Sequence, residues 1–117
     1  MWQNILDACL KGRRTGTGIT ALGDTLAALD IPYGSGAGIH TTEKIYKTLK
    51  FGAYRASVDM AKELGAFKVW KHELEKDNPF LNRFRDEIVD LTGDAADVIR
   101  GEDIWQDMKK YGRRNIA

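Results

Sequence analysis

The stretch "TTEKIYKTLKFGAYRASVDMAKELG", residues 41–65, decides the fold of this chain. Its apolar and small residues recur at steps of three or four, at Ile45, Leu49, Ala53, Ala56, Met60 and Leu64. That period is typical of an amphipathic α-helix and not of a strand. Thr41 is a suitable N-cap, Glu43 lies in the first turn, and Gly65 is a suitable stop. The sequence therefore predicts one long central helix of about 24 residues, roughly 36 Å in length.

Helical periodicity continues upstream of this stretch. Residues 2–11 carry apolar side chains on one stripe that ends at Gly12, which predicts a helix with Cys9 on its buried face. A second helix is predicted from Ile19 to about Asp30, because Pro32 disfavours helix at the residue before it. Residues 31–38, dense in turn-forming residues, are predicted to be a loop.

Helical signals also follow downstream. Asn78 and Pro79 form a strong helix start, and that helix places Leu81, Phe84, Ile88 and Leu91 on one face. Residues 92–101 are predicted to form a turn and a short helical piece. In residues 102–112 acids lead, lysines trail and a glycine ends the run, the order that a helix dipole favours. The fold class is therefore mainly α, with about five to seven helices.

Composition limits the range of functions. The 117 residues fit a single unit, residues 1–117, and the net charge of +1 gives no global field towards nucleic acid or a membrane. Cys9 is the one cysteine, which excludes an internal disulfide or a cysteine-pair zinc site and favours a reducing compartment. There is no long apolar run and no signal-peptide pattern. We expect a cytoplasmic protein without a membrane partner.

The segment "GRRTGTG", residues 12–18, is the main candidate for ligand binding. It lacks the lysine of a Walker loop, and a helix rather than a strand precedes it, which argues against the dinucleotide fingerprint. Backbone N–H groups at a helix start beside two arginines remain a generic way to contact an anion. The anion-contact candidates are Arg13, Arg14, Gly16 and Gly18. A structural turn with surface arginines is the preferred alternative.

Other polar residues do not form a motif. His40 and His72 are far apart in sequence, and His40 is expected in a loop or cap. The acidic residues between 73 and 90 alternate with cations, as on a solvated helix face. The pair Arg113 and Arg114 is expected at a surface or interface rather than on a phosphate. No catalytic, cofactor-binding or metal-binding residue is predicted, and no cofactor.

Longer segments closely resemble a known family. The matching segments are "GRRTGTGITALGDTLAALDIPYGS" (12–35), "EKIYKTLKFGAYRASVDMAKELGAF" (43–67), "NPFLNRFRDEI" (78–88) and "KKYGRRNIA" (109–117). Together they resemble the C-terminal part of the catalytic barrel in the large subunit of ribonucleotide reductase. The resemblance implies a helical segment excised from a ten-stranded α/β barrel, in which the glycines serve as packing positions. The closing "RRNIA" stops as an extended apolar segment begins, which also indicates part of a larger unit.

This chain differs from the family in its number of cysteines, and that difference determines which function we expect. Its reductases use one radical cysteine and a redox cysteine pair, and this chain has only Cys9, upstream of the matching segments. The resemblance implies a structural portion of a ribonucleoside-diphosphate reductase, inactive alone and a candidate piece of a split enzyme. Its partners would be the remaining parts of the large subunit, or a second copy through the long helix. The alternative is an orphaned or truncated helical protein without catalysis that acts as an interaction module or, less favoured, binds nucleic acid.

Overall fold

A computed structural model describes residues 1–90, 93–94 and 97–116 of the chain. These residues form six helices and one two-stranded sheet. In chain order the elements are α1 (Trp2–Gly12), α2 (Leu22–Ala28), α3 (Gly36–Leu64), α4 (His72–Glu75), α5 (Pro79–Asp86), β1 (Ile88–Asp90), β2 (Val98–Arg100) and α6 (Gly101–Tyr111). The mainly α prediction and the expected number of helices are confirmed. The described residues do not themselves form a barrel.

The long helix α3 begins six residues earlier than the sequence predicts. Ser35, not Thr41, is its N-cap, and the Ser35 hydroxyl accepts a hydrogen bond from the Gly38 N–H at 3.0 Å. A side chain at Gly38 would place its Cβ 2.9 Å from the Pro32 carbonyl oxygen, so only glycine permits this tight entry. The helix runs for 29 residues and ends at Gly65, as predicted. His40 therefore lies inside α3 and not in the expected loop or cap. The loop predicted over 31–38 ends at Ser35, because α3 begins at Gly36.

The two upstream helices are present but differ in detail. Helix α2 starts at Leu22 and ends at Ala28, so it is shorter at both ends than the predicted Ile19–Asp30. In α1 only Gly12 is buried, and Cys9 is exposed. The prediction of a buried Cys9 is wrong because α1 has an apolar stripe but packs extensively against no other described helix or strand.

The downstream region contains the two strands, which the sequence reading missed. Asn78 caps α5 as predicted, with its side chain accepting from the Phe80 N–H at 2.9 Å. Helix α5 then ends at Asp86, so Ile88 lies in a strand and not on the predicted helix face; Leu91 lies outside the described residues. Strands β1 and β2 pair antiparallel, with Val89 opposite Ile99. Of the segment 92–101, predicted to be a turn and a short helical piece, residues 98–100 are strand, and residues 92, 95 and 96 lie outside the described residues.

The core occupies one half of the molecule. It is built from α3, α5, β1 and α6, and its buried members are Phe51, Val58, Leu81, Phe84, Val89, Ile104 and Met108. The ring centroids of Phe51 and Phe84 are 4.7 Å apart, and those of Tyr54 and Phe84 are 4.9 Å apart. Helices α5 and α6 enclose this aromatic cluster against the second half of α3. By contrast, residues 1–40 bury only Gly12, Leu26 and Gly38.

This division gives the chain an open shape. Its Cα radius of gyration is 16.9 Å, whereas a compact domain of this length has about 13 Å. None of the described helices has the length and apolar character needed to cross a membrane.

Candidate functional site

The glycine-arginine segment is fastened to the end of the chain. Arg13 is the C-cap of α1 in a left-handed conformation, with φ 46°. The Thr15 N–H donates to the Ile116 carbonyl at 2.9 Å, and the Ile116 N–H donates to the Gly12 carbonyl at 3.2 Å. A Cβ on Gly12 would lie 3.3 Å from Cδ1 of Ile116. Gly12 is therefore a packing position, in agreement with what the family resemblance implies.

The four anion-contact candidates do not sit at a helix start. Gly16 and Gly18 lie in a non-helical segment, and α2 begins only at Leu22. Arg14 is exposed, whereas Arg13 is half-buried and its Nε has no hydrogen-bond partner among the described residues. The helix-dipole argument for anion binding therefore does not apply to the two glycines. Anion contact by the two arginines stays a prediction.

A groove separates this segment from the middle of α3. It has a volume of about 370 Å³. One wall is formed by residues 15–17, and the other is a run of mostly small and apolar residues on α3. The lining residues on α3 are Ala53, Tyr54, Ala56, Ser57 and Met60. Because these α3 side chains are mostly small, an incoming segment can approach the helix closely.

The groove also has a polar end formed by residues near the end of the chain. Arg113 is 6% exposed and forms an ion pair with Glu75, which corrects the expectation of a surface arginine. Its guanidinium lies 5.4 Å from the Tyr54 ring centroid, and its Nη1 is 3.5 Å from the Tyr54 hydroxyl. Burial raises the pKa of Tyr54 above its usual value, and the Arg113 charge opposes part of that rise.

Neighbouring residues fix this end of the groove to α3. The Arg114 N–H donates to the Ser57 carbonyl at 2.9 Å, and the Asn115 N–H donates to the Ser57 hydroxyl at 3.0 Å. The Arg114 guanidinium donates to the carbonyl of Leu64 at 2.9 Å, and so satisfies an acceptor at the end of α3. Both arginines of this pair therefore have structural contacts. The sequence offered no signal for these partners, which lie about 40 to 60 positions away.

A second, shallower depression lies on the first half of α3. It is lined by Glu43, Tyr46, Lys47, Lys50 and Glu87. Lys50 forms an ion pair with Glu87, and its ammonium group lies 5.7 Å from the Phe80 ring centroid. Because Lys50 is already paired with Glu87, its charge is not available to bind an anion in this depression.

The described residues show no assembled reaction centre. They hold no group of three or more histidine, cysteine or acidic side chains that could bind a metal ion. His72 lies beside Trp70 and Trp105, with ring centroids 6.2 and 6.0 Å away. His40 is exposed on α3, and Cys9 is exposed on α1. What the geometry provides is a groove and exposed apolar surface, which are suited to binding another polypeptide.

Comparisons with known proteins give a family. A family model described as "Ribonucleotide reductase, barrel domain" matches residues 2–117. The chain is 39% identical over 57 residues to the ribonucleoside-diphosphate reductase large subunit of African swine fever virus, Pretoriuskop Pr4 isolate. The subunit of the Vero-adapted Badajoz strain is 37% identical over 57 residues. Each alignment covers 49% of this chain and 7% of the viral protein. No solved structure gives a significant match.

Proposed function

This chain belongs to the ribonucleotide reductase barrel-domain family, and on that premise we propose that it is a structural portion of a ribonucleoside-diphosphate reductase large subunit. It supplies helical scaffold for the barrel, while the remaining parts of the subunit supply the other strands and the reacting side chains. The product of the assembly is deoxyribonucleotides, and its place of action is the cytoplasm.

One observation carries this proposal: the chain exposes too much surface for a self-contained protein. Its accessible surface is 8122 Å². A compact monomer of 13.1 kDa exposes about 6,400 Å², so the excess is about 1,700 Å². That excess is about twice the ~800 Å² that each partner buries in a standard protein–protein interface. Surface of this extent is expected of a piece cut from a larger core.

The sulfur content supports a scaffold role. The family resemblance implies a radical cysteine and a separate redox cysteine pair, and this chain has Cys9 alone. Cys9 is exposed on α1. Catalysis in this proposal therefore belongs to the assembly and requires cysteines from its other parts.

The test is reconstitution. The chain and the remainder of its cognate large subunit are produced as separate polypeptides, and ribonucleotide reduction is measured for each alone and for the mixture, with the radical-generating partner and reductant present. We expect turnover from the mixture only, together with a stable complex in sedimentation. Turnover by the isolated chain, or failure of the two polypeptides to associate, would refute the proposal.

A second candidate function has one specific observation in its favour. Ile39, Met60 and Leu64 leave apolar surface exposed along α3. An orphaned helical protein would cover that surface by self-association through α3 and act as an interaction module without catalysis. Concentration-dependent dimerisation that persists in the presence of the rest of the subunit would favour this alternative. Salt-dependent DNA binding would instead indicate the nucleic-acid role, which the near-neutral charge disfavours.

A further inference from the structure

We propose that α1 is the docking element through which this chain attaches to the remainder of the reductase subunit. The inference rests on the proposed function and deepens it by naming the surface involved. The docking surface is the apolar stripe of α1, formed by Trp2, Ile5, Leu6, Cys9 and Leu10. Its occupant is an apolar surface of the remaining polypeptide, bordered by carboxylates.

Within the described part of the chain, α1 is held only at its last residue, the buried Gly12, whose carbonyl accepts a hydrogen bond from the Ile116 N–H. All of its residues from Trp2 to Lys11 are exposed, and the Trp2 side chain is 84% exposed. An isolated helix of 11 residues is marginal in water, since helices shorter than about 12–15 residues rarely persist without packing. An amphipathic helix gains most of its stability by burying its apolar face. The order of α1 therefore depends on a surface that the described part of the chain does not supply.

The charges next to the stripe indicate the character of that surface. Lys11, Arg13 and Arg14 follow the stripe directly. In the part of the chain that the structure describes, none of the three forms an ion pair. Carboxylates on the partner would neutralise them, which is the usual complementarity of a docked interface.

The surface formed by α3 and α6 has a different character from the stripe of α1. The ammonium group of Lys62 on α3 lies 2.7 Å from a carboxylate oxygen of Asp107 on α6 and 3.2 Å from one of Asp59. The Nε of Arg55 lies 3.1 Å from the other Asp59 oxygen. We call this network the charged face. A surface of exposed, mutually paired charges is typical of a face in water. In this proposal α1 contacts the rest of the subunit, while the charged face stays in solvent.

Cys9 provides a direct readout because it is the one thiol in the chain and lies on the stripe. Its rate of labelling with a maleimide is measured in the free chain and in the complex with the remainder of the subunit, which carries its own cysteines blocked beforehand. A matched control carries Cys9→Ser with Asp103→Cys, which places the thiol at an exposed position on α6. We expect complex formation to slow labelling of Cys9 by about tenfold or more and to leave the control unchanged.

Two substitutions on α1 test the stripe itself. Leu6→Glu puts a carboxylate on the stripe, whereas Asn4→Glu puts the same group on the opposite side of the helix. Both positions are exposed, so neither change disturbs the core. We expect Leu6→Glu to raise the Kd for the remainder of the subunit about tenfold or more, because an unpaired charge would be buried. Asn4→Glu should change it by less than about twofold.

The outcomes separate this inference from the proposed function. If the complex forms but Cys9 labels as fast as in the free chain, α1 is not the docking element, while the proposed function stands. If no complex forms with the unmodified chain, the proposed function fails and the inference fails with it. If Cys9 is protected in the chain alone as concentration rises, and the remainder of the subunit does not change this, a second copy is the occupant and the inference is overturned.

Discussion

The junction between β2 and α6 should not tolerate a side chain at Gly101. Gly101 is buried, and its N–H donates to the Glu87 carbonyl at 2.9 Å. A Cβ at this position would overlap the Phe84 carbonyl oxygen and lie 2.8 Å from the carbonyl carbon and 3.0 Å from the Arg85 carbonyl oxygen. These atoms belong to the backbone at the end of α5, so they cannot move aside as a flexible side chain would. Gly101→Ala must displace one helix from the other.

The size of the effect follows from what that displacement breaks. The hydrogen bond to Glu87 is lost or weakened, at a cost of about 1 kcal/mol. The shift also disturbs the packing between α5 and α6, and forced overpacking of this kind costs about 1–3 kcal/mol. We therefore expect Gly101→Ala to lower the free energy of unfolding by about 2–4 kcal/mol.

Gly52→Ala is the matched control for the same chemical change. Gly52 lies near the middle of α3 on its exposed side, and a Cβ there would meet no described atom of another element within 4 Å. Because alanine is the better helix former, this substitution should raise the free energy of unfolding by about 0.5–1 kcal/mol. Urea denaturation followed by circular dichroism measures both variants against the parent chain. A Gly101→Ala variant within about 0.5 kcal/mol of the parent would refute the packing argument.

Three further predictions concern the core and the polar end of the groove. Glu75→Gln leaves the buried Arg113 without its ion-pair partner, so it should lower the free energy of unfolding by about 3–5 kcal/mol in urea denaturation. The control is Glu73→Gln, which removes an exposed ion pair with Lys76 and should leave the denaturation midpoint unchanged. Equal effects of the two substitutions would contradict the role of the buried pair. Phe84 is 0% exposed, so Phe84→Ala should lower the free energy of unfolding by about 3–5 kcal/mol in the same assay. A decrease of less than about 1 kcal/mol would show that the aromatic cluster is not the core. Burial raises the folded pKa of Tyr54 above 10.0. The stability that this shift contributes is therefore fully present below the unfolded pKa and is lost as pH rises through the higher folded value. Phenolate absorbance should show a late-titrating tyrosine that Tyr54→Phe removes, and an unchanged titration would argue against the shift.

The helices that carry local signals could be predicted from sequence alone. Asn78 before Pro79 fixed the start of α5, and Gly65 fixed the end of α3, because caps act through neighbouring backbone groups. The predicted start of α3 is wrong by six residues because two suitable caps, Ser35 and Thr41, compete. The choice between them depends on the close packing of Gly38 against Pro32, which no propensity records.

Features that depend on contacts between residues distant in sequence could not be predicted from the sequence. The strand pairing of Ile88 with Arg100 joins residues 12 positions apart, and Ile88 also suits a helical face by spacing. Arg113 is expected at a surface or interface from the sequence, because its burial requires Glu75 and Tyr54 to converge on it. The groove arises because the backbone near Thr15 hydrogen-bonds to Ile116. A single sequence gives no measure of such pairs.

The sequence by itself determined that the chain is helical, that one long helix dominates, and which family it resembles, because helical periodicity, capping residues and residue order are local properties. Only the tertiary structure decided which apolar stripes are covered. The stripes of α5 and α6 are buried in the core that they share with α3, whereas that of α1 is exposed. All three look alike in sequence, since amphipathic spacing shows that a face needs a neighbour and not whether the same chain provides one.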